Sequence, residues 1–431
     1  PGDRTYKLHS GITSEYGRYV RFLGVQGAEL NSGPKLLQEI DRPVTIGAIS
    51  VLSLITTLFF NLLPIFVGAA AADRGWGDAE IGFFASSGMV GIFVGTLAAP
   101  YWVRRWAWRP VSLTSLITGG ALFCLLPWVG GVPVTLACMF VVGVTLATNL
   151  AICIAAISDT TETERNFGIV LTVQTIGAAG AGVLMEMCAG IAGFAGASGM
   201  LGAFMLAGAL VVRWLPNRGR VLEEPIPASG PAAPATSPNF PMYFALFGSL
   251  IFYLAASAIW AFWGVIGERA EISSDLIAQA VSVGLLAGGL GSFLGAVLGQ
   301  RFGCLLPIGI GGAATGVSFA VVALWQGAPV FAFFGLGILF NAGWALALVY
   351  QMSATASLDQ SGRQTVLITA FQAAGGGLGP ALAGLILELG SFAVLVMVEG
   401  AILLVSFLIF AFALKGRGGE GPAGAKSGQA A

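Results

Sequence analysis

Asn61, Asn149 and Asn341 each stand inside a long apolar stretch that carries no charged residue. An amide placed in hydrocarbon needs a hydrogen-bond partner or water, because leaving it unbonded costs roughly 1–3 kcal/mol. Two outcomes meet that need: a clamp onto a neighbouring helix, or a contact with a solute in a wet cavity. Gln174 and Gln372 present the same alternative, 198 positions apart. Tyr253, Ser257, Trp260, Trp344 and Tyr350 lie in similar apolar runs and could add hydroxyl contacts or a ring face. Ionisable groups are scarcer. Glu186, Glu388 and Glu399 fall within apolar segments, and Glu399, about two turns into the last of them, is the deepest. A buried carboxyl of this kind can carry a proton; the plainer reading is a wetted interfacial side chain. Glu186 is the second candidate for that role.

The inventory excludes other chemistry. No lysine occurs between Pro43 and Leu414, and the single histidine is His9. A His-based metal site or Ser-His-Asp triad inside the apolar region is therefore ruled out. No pair of carboxylates shares a depth, which argues against an intramembrane enzyme. A phosphorylated or strongly anionic ligand would need an Arg or Lys clamp, and the apolar runs offer none. The five cysteines show no CxxC spacing and read as packing residues. No metal or cofactor is expected, and a net charge of −1 gives no reason to expect a nucleic-acid partner.

These residues must be positioned by membrane-spanning helices. Only 10% of the chain is charged, 56% is hydrophobic, and mean hydropathy is +0.86, whereas soluble domains carry about 25% charge. A charge at the centre of a spanning helix costs roughly 2.5–3.5 kcal/mol, which explains its absence here. With about 20 residues per crossing, the sequence predicts about twelve: 44–70, 79–101, 110–130, 133–157, 167–190, 193–213, 241–265, 276–299, 304–324, 329–352, 365–388 and 391–414. The chain then divides into an N-terminal arm 1–42, one bundle 43–214, a Pro- and Ala-rich linker 215–240, a second bundle 241–414 and a Gly-rich tail 415–431, read as disordered. The arm is polar, without the apolar core of a signal peptide; it either lies on the membrane surface through short amphipathic pieces, docks a protein partner, or is disordered.

Basic residues set the orientation. Lys35, Arg42, Arg104, Arg105, Arg109, Arg165, Arg213, Arg218, Arg220, Arg301, Arg363, Lys415 and Arg417 would share one side, and Arg74 and Arg269 the other. Both termini are expected in the cytoplasm, with the protein in a bacterial inner membrane. The halves also repeat. Ile81, Ser86, Gly88, Gly95 and Arg105 match Ile277, Ser282, Gly284, Gly291 and Arg301 at an offset of 196, while Arg165, Gln174 and Gly177 match Arg363, Gln372 and Gly375 at 198. That pattern indicates a duplicated six-helix unit in parallel orientation.

Two six-helix halves, a long central linker and internal termini together resemble the major facilitator superfamily of secondary transporters. The loop after the second helix of each half resembles that family's Gly-x-x-x-Asp-Arg-x-Gly-Arg-Arg in degenerate form. The second half has Gly299, Arg301 and Gly303 with Gln300 in the acidic place; the first has Arg105 and Arg109, with Arg104 in the acidic place and Ala107 for the glycine. The resemblance implies an all-α membrane protein of two pseudo-symmetric six-helix bundles. It implies a central cavity lined by the first, fourth, seventh and tenth helices, which would carry Asn61, Asn149, Tyr253, Ser257, Trp260, Asn341, Trp344 and Tyr350. It also implies gating by Arg104, Arg105, Arg109, Arg301 and Arg363, with Asp159, Glu162, Glu164 and Asp359 as carboxylate partners; setting topology alone is the other reading of these arginines. The fifth helix carries Gly177, Gly180 and Gly182 without the proline of the family's drug/proton antiporters.

The expected function is secondary transport of a small organic solute by alternating access, with proton coupling open and uptake placed ahead of hydrophobic-compound efflux. A non-transporting scaffold or assembly factor on the same fold is the alternative from another class. The expected partners are a small-molecule solute and the lipid bilayer.

Overall fold

Pro64 interrupts the first crossing. It has no N–H to offer the carbonyl four residues earlier, so the helix divides at Leu62 (φ −102°, ψ 13°) into α1 (Pro43–Asn61) and α2 (Leu63–Arg74). In this computed structural model, which describes residues 40–161, 163–219, 240–298, 301–325, 329–358 and 367–415, α3 (Asp78–Trp102), α4 (Trp108–Leu125) and α5 (Val132–Ser158) follow. Next comes α6 (Thr163–Val211), whose 49 residues are too long for one crossing. It breaks at Ala192 (φ −139°, ψ 22°) and Gly193 (φ 56°, ψ −140°). Glycine tolerates that positive φ, and Asp73 Oδ2 caps the second limb by accepting from Phe194 N at 2.6 Å. The second half runs α7 (Phe240–Arg269), α8 (Ser274–Leu298), α9 (Leu305–Leu324), α10 (Val330–Leu358), α11 (Leu367–Leu389) and α12 (Phe392–Ala413). Eleven of the helical runs are long and apolar enough to cross a membrane. With α6 counted as two limbs the chain makes twelve crossings, as the sequence predicts, and no strand occurs among the described residues. The arm 1–39, most of the linker (220–239) and the tail from 416 lie outside them.

An even number of crossings puts Ile40 and Lys415 on one face, called here the terminal face; the opposite one is the far face. Within the first half α3 packs on α5 and α1 on α6; within the second, α8 packs on α10 and α7 on α11 and α12. The halves meet along α3 with α11, α6 with α8, and α2 with α7. At the first of these seams the backbones touch. A Cβ on Gly82 would sit 2.4 Å from Pro380 O and 3.0 Å from Gly384 Cα, so only glycine permits this approach. Ser86 Oγ accepts from Ala381 N across the same seam at 2.8 Å. The outer surface is inverted relative to a soluble protein: Leu290, Phe293, Leu404 and Phe412 are all more than half exposed, as lipid contact requires.

Candidate functional site

The break after Asn61 turns the end of α1 into the closed end of a cavity. This cavity, of about 500 Å³, is lined by Phe60 and Asn61 of α1, six residues of α6 between Leu171 and Ala178, Tyr253 of α7, Leu285, Gly288, Gly289 and Ser292 of α8, and Asn341, Trp344, Ala345 and Leu348 of α10. Those α6 residues lie near its start, and those of α8 near its end, so the cavity runs from mid-bundle toward the terminal face. Its size lies within the range of small-molecule sites. No charged side chain is found among the lining residues.

Five of the ten sequence-predicted binding residues meet here: Asn61, Gln174, Tyr253, Asn341 and Trp344. Gln174 Nε2 donates to Ser53 Oγ of α1 at 2.5 Å, which leaves its carbonyl oxygen for the cavity. Asn341 Nδ2 donates one turn back to Gly337 O at 3.0 Å. The other five are placed elsewhere. Asn149 clamps α5 to α4: its Oδ1 accepts from Ser112 Oγ at 2.6 Å, and its Nδ2 donates to Ser115 Oγ and to Thr145 O. Ser257 sits buried in the α7–α11 seam, 3.5 Å from Gly375 O. Tyr350 is buried with Met242, Leu246 and Ile308. Gln372 is buried with no hydrogen-bond partner for Nε2 among the described residues. Trp260 lies just behind the closed end, stacked on Phe340 with ring centroids 5.8 Å apart and planes 4° apart.

Trp260 has a further part. Its Nε1–H donates to Phe60 O at 2.9 Å. Pro64 is the fourth residue after Phe60, so the α-helical donor to this carbonyl is missing; a backbone N–H at the cap of α1 bonds it instead, and the indole is its second donor. A donor from the second half thus adds to the end of a helix of the first, and the bond exists only while α7 and α1 are together.

A further contact between the halves lies on the far side. Asp78 Oδ1 pairs with Arg269 Nη2 at 2.6 Å, joining the start of α3 to the end of α7, and the Arg269 guanidinium lies 5.0 Å from the centroid of the Phe392 ring. Pairs this exposed contribute about 0.2–1 kcal/mol, so the bridge biases a conformation rather than holding the fold. Reversing either charge should raise thiol labelling of far-face cysteines a few-fold, and exchanging the two residues should restore the original level. Equal labelling in all four proteins would remove the pair from the closure.

Of the loop arginines, Arg104 Nη1 pairs with Asp159 Oδ2 at 2.5 Å, and Arg109 Nε donates to Leu215 O at 2.6 Å. Both contacts join elements of the first half and exist while the cavity faces the terminal side. They brace one bundle and do not themselves bridge the two. Arg105 and Arg301 are exposed. Glu162, Asp359 and Arg363 lie outside the described residues, as do the side chains of Glu164 and Arg165.

Neither candidate proton site lines the cavity. Glu399 of α12 is 1% exposed, and neither carboxyl oxygen has a hydrogen-bond partner among the described residues. One turn further along α12, Leu403 packs on Phe252, Ala255 and Ala256 of α7. Glu186 instead lines a small far-face pocket with Asp73 and Glu268. Glu388 is exposed at the far end of α11.

The sequence reading missed Phe60, Gly288, Gly289, Ser292, the Trp260–Phe60 bond and the Asp78–Arg269 pair. Pro64 was the available signal for the bond, since it takes the α-helical donor from a carbonyl at a fixed distance; pairing between halves leaves no local pattern.

The sequence model of the Major Facilitator Superfamily matches the chain twice, over residues 49–245 and 245–430. No curated protein matches it in sequence. Among solved structures it is similar to the nucleoside transporter NupG (D323A mutant), with a TM-score of 0.73 and 13% identity over 86% of this chain and 100% of that one. It is also similar to a bacterial homologue of the human lysosomal transporter Spinster in an inward-facing, unoccupied conformation (0.61, 15%, 86% and 96%). An auto-inhibited POT-family peptide transporter is comparable (0.64, 15%, 87% and 96%). At these identities the likeness concerns the fold.

Proposed function

Because this chain belongs to the major facilitator superfamily, we propose that it carries a small, neutral or weakly polar organic solute across a bacterial inner membrane by alternating access. The observation that carries the reading is a charge-free cavity between the halves, sealed on the far side by contacts between the halves and directed toward the terminal face. A site at the midplane between two parallel repeats is where rocking of the halves exchanges access. The basic residues on the terminal loops support a cytoplasmic terminal face, so the conformation described is inward-facing. Asn61, Gln174, Asn341, Tyr253 and Trp344 would bind the solute. Glu399 would couple a proton to the cycle through α12 and α7. Uptake is the favoured direction, since the fifth crossing has glycines but no proline.

Alternation needs the far-side contacts to part while the terminal side closes. The contacts described suit that task. Two neutral hydrogen bonds, Trp260 to Phe60 and Ala381 to Ser86, and one exposed ion pair bridge the halves there, each worth on the order of 1 kcal/mol, so a bound solute can tip the balance.

Replacing Asn341 by alanine should lower solute flux up to about tenfold, the worth of one cavity hydrogen bond, with expression and melting temperature unchanged. Unaltered kinetics in proteoliposomes would remove Asn341 from the solute path.

A further inference from the structure

We propose that the solute is an uncharged, planar nitrogen heteroaromatic whose ring lies against Trp344 and whose amide-like edge bonds Asn61 and Asn341. The assignment rests on the carrier reading above and narrows it to one chemical class.

Ring geometry is the first argument. Trp344 meets Phe60 at 5.5 Å and 71°, Tyr253 at 5.8 Å and 71°, Phe340 at 6.1 Å and 55°, and Trp260 at 6.4 Å and 51°. All four are edge-on or tilted, and none stacks parallel on the indole. By contrast, Trp260 beside it is stacked on Phe340 at 4°. A flat ligand entering the cavity would supply the parallel partner that Trp344 lacks, and offset stacking is a favoured arrangement of π systems.

The second argument concerns polar supply. Asn61 lines the cavity and makes no hydrogen bond among the described residues, so its whole amide is open to a ligand. Asn341 has one N–H committed to Gly337 O and its oxygen uncommitted. An open amide supplies one donor beside one acceptor, which complements the donor–acceptor edge of a lactam or aminopyrimidine. The threonine hydroxyls are already engaged: Thr172 Oγ1 donates to Gly168 O at 2.8 Å, and Thr175 Oγ1 to Leu171 O at 2.9 Å. A hexose, with hydroxyls around its whole rim, would also set some of them against the apolar walls, which is costly. Absence of charge from the lining excludes the third class: a zwitterion or a phosphorylated compound would enter with nothing to neutralise it.

The test uses the purified full-length chain in lipid nanodiscs, with uracil, adenine and uridine as heteroaromatic probes against glucose, leucine and uridine monophosphate. Thermal stabilisation and quenching of tryptophan fluorescence are read together. At least one heteroaromatic probe should stabilise the protein and quench, while glucose, leucine and the monophosphate do neither. Trp344→Ala should weaken that binding roughly tenfold, and Trp344→Phe, which keeps a stacking face, should recover most of it. Asn61→Leu should weaken it with Trp344 intact, which separates edge recognition from stacking. Stabilisation by glucose or leucine alone, no response to any heteroaromatic probe, or equal affinity in the two Trp344 variants overturns the assignment. If glucose drives exchange of cavity access between the two faces and the heteroaromatics do not, the class is wrong and the carrier stands. If no probe or gradient exchanges access, the carrier reading itself fails.

Discussion

Trp260→Phe should tip the protein toward opening at the far face by between roughly twofold and tenfold. Phenylalanine keeps a ring to stack on Phe340, which is 5.8 Å from Trp260, but loses the N–H that bonds Phe60 O at 2.9 Å. Pro64 cannot replace that donor. The carbonyl would keep its backbone bond at the cap of α1 and lose its second donor, a loss of about 0.5–1.5 kcal/mol in the conformation described. The reporter is Asn61→Cys, at the closed end of the cavity, in a background where the five native cysteines are replaced; a membrane-impermeant thiol reagent is applied from the far face. Labelling should rise with Trp260→Phe. The effect should shrink when Pro64 is also changed to alanine, because residue 64 then brings its own N–H to Phe60 O. An equal rise with and without Pro64→Ala would show that the indole acts by bulk and not by its hydrogen bond.

The second large effect concerns Glu399. Its carboxyl is enclosed, with no donor to either oxygen among the described residues, and an anion in such a place costs far more than the neutral acid. Becoming charged must therefore accompany a rearrangement that brings water or a partner. α12 lies on α7, which bears Tyr253 of the cavity and Trp260 of the closure, so that rearrangement reaches both. With one proton per solute, one pH unit of gradient supports about tenfold accumulation. Glu399→Gln, nearly isosteric and permanently neutral, should abolish accumulation driven by the gradient while solute exchange at equal pH on both sides continues. Accumulation that survives in Glu399→Gln removes this residue from coupling and turns attention to Glu186.

The architecture was legible because the membrane imposes it. Apolar length gave twelve crossings, including the two limbs of α6, which together are too long for one. The bend at Leu62 was not separated from the first crossing: hydropathy is continuous through Pro64, and only the missing N–H marks the break. Site residues were legible in part. Asn61 and Asn341 point into the cavity, whereas Asn149, on a helix of the same expected class, is held by Ser112 and Ser115 of α4. Nothing local to Asn149 distinguishes these fates; the serines that hold it lie more than thirty positions earlier. The arginines of the degenerate loops show the same limit. Sequence identifies cations at a helix end, but whether they brace one bundle or bridge two depends on which helix end faces them, and Arg104 faces Asp159 of its own half.

Reciprocal motion of the two faces tests the carrier most directly. Spin labels at Trp106 and Phe302 report the terminal face, and labels at Trp128 and Phe331 report the far face; all four side chains are more than half exposed. On applying solute or a proton gradient to the protein in nanodiscs or liposomes, the first pair should draw together as the second separates. Distances that stay fixed in both pairs, or that grow together, would contradict alternating access and leave the scaffold reading in its place.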